Sequence, residues 1–199
     1  MNEASGIHLG TSAFQAAGWP GTFYPRGMKP RDYLTFYAEH FDTVEVDSTF
    51  YRTPSIEIVS NWSLKTPEEF IFSVKVPQIV THEKILVGCD AEFEQFVDVM
   101  DILQDKLGPM VLQFPFFNRS IFRTQSDFLD RFIPFLKKLP RDLRKRGVTI
   151  YAYANNHYAG FAPATIEQFR ELWYAKGLPE LGRGRRFRQE SSLFDGLEE

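Results

Sequence analysis

Apolar residues recur along this chain with two alternating periods. Alternation at every second position marks short strands at Gly6–Ser12, Thr43–Thr49, Phe70–Val76, Met110–Phe114 and Val148–Ala154. Between them the spacing is helical. Pro30 opens a helix carrying Leu34, Tyr37, Ala38 and Phe41, and Ser55 caps one carrying Ile58, Val59 and Trp62 that Pro67 stops. Asp90 caps the clearest helix, with Phe93, Phe96, Val97, Met100 and Leu103 on one face and Gly108-Pro109 at its end. A fourth helix starts at Ser126 with Leu129, Phe132, Phe135, Leu136 and Leu139, bent by Pro134, and a fifth runs from Pro163 through Ile166, Phe169, Leu172 and Trp173 to Gly177. Five strands alternating with five helices, with no hairpin signal between strands, predict βαβ units and a parallel α/β sheet. Residues 1–177 read as one domain, and 178–199 as a polar, Arg-rich tail.

Buried parallel strands are usually apolar throughout, and these are not. One side is apolar: Ile7 and Leu9, Val44 and Val46, Phe70, Phe72, Val74 and Val76, Leu112 and Phe114, Val148 and Ile150. The other carries His8 and Ser12, Glu45 and Asp47, Ser73 and Lys75, Gln113, then Tyr151, Tyr153 and Asn155. These polar groups concentrate at the C-terminal strand ends, where parallel α/β folds bind ligands. The pattern fits a ligand site and also fits a sheet with one solvated face. Glu45, Asp47 and Lys75 would lie on neighbouring strands, where two carboxylates beside an amine divide into acid and base roles or form a structural ion pair. His82, and Asn155, Asn156 and His157 after the last strand, add candidates for general acid/base work or for ordinary surface hydrogen bonds. Trp19 and the loop aromatics Phe14, Phe23, Tyr24, Phe50 and Tyr51 would stack on a ligand or fold down as a lid.

Composition narrows the functional classes. With 43% hydrophobic and 25% charged residues over 199 positions, the chain reads as an ordinary globular protein. A net charge of −3 argues against a general polyanion binder. Arg183, Arg185, Arg186 and Arg188 read as a solvated tail, so nucleic acid is not an expected partner. One cysteine excludes an intramolecular disulfide framework, and no His pair has the spacing of helical zinc sites, so no metal is expected. No Gly-rich phosphate loop and no nucleophile elbow occur, so no cofactor is implied. The first six residues lack the basic and apolar regions of a secretion signal, and no apolar run reaches the ~18 residues of a membrane span. The expected location is cytoplasmic, away from membranes.

Several strings resemble one family. Gly10-Thr11-Ser12, Gly18-Trp19 through Phe23-Tyr24-Pro25, Phe41 through Arg52, Lys75-Val76-Pro77 with Thr81-His82, Leu107-Gly108-Pro109 with Gln113-Phe114-Pro115, and Tyr153 through Gly160 all resemble the YecE-like domain-of-unknown-function family, number seventy-two. The resemblance runs from about residue 6 to 173 and implies a TIM-type barrel with its site at the strand C-termini, but no reaction. It also implies a departure: three βα units, roughly 90 residues, are missing at a junction between Arg144 and Gly147. What remains would be an incomplete, open or distorted half-barrel of about five strands. The last strand would pair either with the first or with the fourth, since the link from Pro140 to Gly147 reaches about 26 Å. Either order exposes edge strands, which predicts lowered stability and self-association.

Two functions follow as expectations. In the first, Ser12, Trp19, Lys75, Gln113, Asn155, Asn156 and His157 bind a small polar molecule. Glu45 or Asp47, with His82, would then supply acid/base or hydrolytic chemistry in complete members. In the second, the chain is a non-catalytic remnant that recruits partners through its exposed edges. Whether this chain is an enzyme stays open at this point.

Overall fold

The computed structural model describes residues 8–115, 117–124, 126–135, 150–151, 170–171 and 174–175. Four strands form one parallel sheet in chain order: β1 (Thr43–Val46), β2 (Ile71–Lys75), β3 (Leu107–Val111) and β4 (Ile150–Tyr151). Of the two orders open to the last strand, it takes the one beside the fourth predicted strand, with Met110 opposite Ile150 and Val111 opposite Tyr151. Around the sheet lie α1 (Tyr33–Ala38), α2 (Ile56–Leu64), α3 (Asp90–Met100) and α4 (126–135).

The two-residue period sets which face is buried. Val44 and Val46 of β1 and Phe72 and Val74 of β2 are fully buried, while Thr43, Glu45, Ile71, Ser73 and Lys75 between them are half-buried. The buried face meets Val59 and Trp62 of α2, with Trp62 stacked on Phe72 at 6.0 Å, and Phe96, Val97 and Met100 of α3. Leu129, Phe132, Ile133 and Phe135 of α4 extend the same core. Fully burying each such side chain contributes about 1.5–3 kcal/mol. Ile58, expected on the apolar stripe of α2, is 43% exposed instead.

The first predicted strand does not form over residues 8–12. Its backbone groups find other partners. The Leu9 N–H donates to Asp42 Oδ1 at 2.7 Å, and the Thr11 N–H donates to the Tyr37 hydroxyl at 2.8 Å. Among the described residues one ladder-like bond survives, from the Glu45 N–H to the Thr11 carbonyl at 2.9 Å. Leu9, expected inside, is 67% exposed. Gly10 makes this approach possible, because a Cβ there would sit 2.0 Å from the Thr43 carbonyl oxygen. The outer edge of β1 is therefore covered rather than open.

Other boundaries shift for local reasons. The second strand ends at Val46, and Asp47–Phe50 turns into a 3₁₀ helix. The loop after β2 contains a π-helical turn, Ile79–Glu83. α3 stops at Met100, and a 3₁₀ segment, Asp101–Lys106, leads straight into β3. Gly108-Pro109 therefore lies inside a strand, at a register shift between Phe72 and Val74 where a residue without an N–H does least damage. The junction near Arg144–Gly147 and the tail 178–199 lie outside the described residues.

Candidate functional site

Parallel pairing places the charged residues level with one another. Glu45 is opposite Ser73 and Val46 opposite Val74, so one step further Asp47 stands level with Lys75. Lys75 is in turn opposite Val111 of β3. The Lys75 ammonium donates to Asp47 Oδ1 and lies 3.4 Å from Glu45 Oε1. Its side chain is 16% exposed, against 32% for Glu45 and 43% for Asp47. Burial alone would lower the Lys75 pKa. The hydrogen bond to Asp47 and the charges of Glu45 and Asp47 outweigh it and hold the amine above its ordinary value. At neutral pH Lys75 is thus a fixed cation and hydrogen-bond donor, not a nucleophile.

Thr49 holds this arrangement in place. Its side chain is fully buried, and its hydroxyl accepts the Lys75 N–H at 2.9 Å. The same hydroxyl lies within donating distance of the Val46 carbonyl (2.9 Å) and the Lys75 carbonyl (2.8 Å). The 3₁₀ turn that carries Asp47 is thereby fastened to the end of β2. Reading Thr43–Thr49 as one strand hides this residue, although an Asp-Ser-Thr run after a strand is a recognisable turn signal.

His82 reaches the same end from the π-helical turn. Its ring packs edge-on against Phe50 at 4.9 Å, and its Nδ1 lies 2.8 Å from the buried Thr81 hydroxyl. Burial lowers its pKa below the ordinary 6.5, while the charge of Glu83 works the other way. The ring is therefore neutral at pH 7 and able to accept a proton.

The remaining candidates divide. Ser12 is exposed and adjoins Thr11, whose carbonyl binds the Glu45 N–H. Gln113 is exposed two residues beyond Val111 and continues the alternation on the same side as Lys75. Trp19 packs edge-on against Phe23 at 5.5 Å and parallel to Tyr37 at 6.4 Å. The hydroxyl of Tyr37 reaches Thr43, the first residue of β1, so this loop folds down away from Lys75. His8 likewise pairs with Asp42, 3.2 Å away, before β1 begins. Asn155, Asn156 and His157 lie outside the described residues. Among the described residues no three His, Cys, Asp or Glu side chains converge as a metal site would require. A cavity of about 550 Å³, lined by Leu9, His40, Asp42, Glu69 and Phe70 among others, sits at the opposite, N-terminal end of the strands.

Residues 8–148 match the profile of a family described as "Protein of unknown function DUF72". The chain belongs to the DUF72 family. It is similar to the UPF0759 protein YecE of Escherichia coli strain K12, 35% identical over 82 residues, which is 41% of this chain and 30% of YecE. It is also similar to the UPF0759 protein YunF of Bacillus subtilis strain 168, 32% identical over 106 residues, 49% of this chain and 38% of YunF. The chain thus covers less than two fifths of these curated relatives' length. A solved DUF72 family protein of Thermotoga maritima superposes with a TM-score of 0.57 at 27% identity, over 86% of this chain and 62% of that one. One from Enterococcus faecalis superposes at 0.52 and 22%, covering 86% and 60%. Among the described residues no helix is long and apolar enough to cross a membrane.

Proposed function

We propose that the C-terminal strand ends of this DUF72 protein bind a small polar ligand, with Glu45, Asp47 and Lys75 as the charged centre. The observation that carries this reading is a lysine, mostly withdrawn from solvent, clasped by two carboxylates at the end of a parallel sheet where such folds place ligands. A structural ion pair alone would stabilise by about 1 kcal/mol or less at this exposure, a small return for three charges on one sheet face. Ser12, Gln113, Asn155, Asn156 and His157 would complete the wall. Catalysis at this site would be acid/base or hydrolytic, with Glu45 or Asp47 acting beside a neutral His82. Trp19 would join this wall only with its exposed edge, since its ring also packs against Phe23 and Tyr37.

The fold within this reading is a shortened TIM-type barrel in a cytoplasmic protein. The pairing of β4 with β3, and the alignment of most of this chain with about three fifths of the solved relatives, support the fold part of it.

A thermal-shift screen of polar metabolites on the full chain tests the reading. A compound that raises the melting temperature, and ceases to do so in Asp47→Asn, supports the site. Absence of any such compound, together with concentration-dependent oligomers, supports a binding or assembly role through strand edges instead.

A further inference from the structure

The charge count at the strand ends is unbalanced. Two carboxylates face one ammonium, so the cluster keeps one negative charge over. The ammonium is the most withdrawn of the three, and each carboxylate gives it one oxygen, Asp47 Oδ1 and Glu45 Oε1. Among the described residues nothing hydrogen-bonds or ion-pairs with Asp47 Oδ2 or Glu45 Oε2, on side chains 43% and 32% exposed. The charged groups of the site therefore offer hydrogen-bond acceptors to an incoming molecule, while their one ammonium donor is already engaged.

Among the described residues no further cation pairs with these two carboxylates. His82 is held neutral at pH 7 by burial. Ser12, Ser73 and Gln113, the other polar residues of the described strand ends, carry no charge. An anion would have to draw Lys75 away from two carboxylates, leaving both uncompensated on a partly desolvated sheet face, which is costly. The adjoining turn adds a favourable surface for a cation: Phe50 and Tyr51 stand edge to face at 5.4 Å, with Tyr51 66% exposed.

We propose that the ligand is an organic cation with a single ammonium or guanidinium group, whose N–H donors occupy Asp47 Oδ2 and Glu45 Oε2, and that phosphate and other anions are rejected. This rests on the ligand site proposed above and names the class of molecule it takes.

Calorimetric titration of the full chain at pH 7 and constant ionic strength tests it, with propylammonium and agmatine set against inorganic phosphate, acetate, glucose and magnesium. The expected result is binding of an organic cation that weakens about tenfold in Asp47→Asn, the scale of one charge-assisted hydrogen bond. In Lys75→Met the same cation binds more tightly, because its resident competitor is gone; a purely structural lysine would give the opposite. Should Lys75→Met fail to fold, Glu45→Gln provides the second reading, again with about tenfold weaker cation binding. Binding of phosphate or acetate that disappears in Lys75→Met overturns the cation assignment and leaves the ligand site standing. So does binding of only glucose or only magnesium that responds to Asp47→Asn. If no probe in any class responds to these variants, the cation assignment and the ligand site both fall.

Discussion

The Thr49 hydroxyl accepts the backbone N–H of Lys75 at 2.9 Å, from a side chain with no exposure to solvent. This contact ties the turn bearing Asp47 to the strand bearing Lys75. Thr49→Val keeps the volume and removes the acceptor, leaving a buried N–H unpaired at a cost of about 1–3 kcal/mol. Urea unfolding should show that loss, and Thr49→Ser should recover most of it. Equal stability of Thr49→Val and the parent chain would mean that the turn is fastened by something else.

The pH dependence of stability follows from the two shifted groups. The Lys75 pKa is raised, so its contribution is complete below the ordinary value of 10.5 and is lost as the pH climbs through the higher folded value. The stability difference between the parent chain and Lys75→Met should be flat from neutral pH to about pH 10 and shrink above it. A difference that grows with rising pH would contradict the ion triad.

His82 behaves in the opposite sense. Its folded pKa lies below 6.5, so the unfolded chain takes up the proton first and stability falls as the pH drops through 6.5. His82→Gln should remove that part of the acid destabilisation. Melting temperatures of both proteins between pH 5 and 8 would reveal it as converging curves at the alkaline end.

Cys89, the single cysteine of the sequence, is 1% exposed, and burial, helped by Asp90, pushes its thiol above the ordinary 9.0. Both effects suppress the thiolate that reacts. Labelling by a thiol reagent at pH 8 should proceed only as fast as the chain opens and become immediate in urea. Fast labelling of the folded protein would place Cys89 outside the core.

Gly10 fixes the cover on the outer edge of β1. A Cβ at this position would meet the Thr43 carbonyl at 2.0 Å, and that oxygen belongs to the backbone and cannot turn aside. Gly10→Ala should therefore push residues 9–11 off the strand and release the Glu45 N–H from Thr11. Accelerated hydrogen exchange at the Glu45 amide is the specific signature; unchanged exchange would show that the edge is held differently.

How far the sequence led can be judged at single residues. The alternation Val44-Glu45-Val46 and Phe72-Ser73-Val74-Lys75 placed the charged trio on one face, because a period of two leaves no other choice. Register then followed from parallel pairing of neighbouring strands. Leu9 and Thr11 obeyed the same period and still formed no strand. Asp42 and Tyr37 satisfy their N–H groups through side chains, which no local pattern reveals. Thr49 was hidden by its own β-branched character, since a threonine after a strand reads as more strand. Gly108-Pro109 read as a helix stop, yet the pair lies inside β3, where a Cβ on residue 108 would come within 2.3 Å of Ile71 Cγ2. Close approach between strands, not a turn, accounts for that glycine. For Trp19 the sequence offers only a loop aromatic; its parallel contact with Tyr37 comes from the fold of the loop.

In the function proposed above, ligands meet this protein at the C-terminal strand ends around Asp47 and Lys75. Chemical-shift mapping of the full chain with compounds that raise its melting temperature tests this most directly. The expected perturbations gather at residues 45–50, 73–75 and 81–82. Perturbations gathered instead at Asp42, Glu69 and Phe70, around the cavity at the opposite end of the strands, would contradict it.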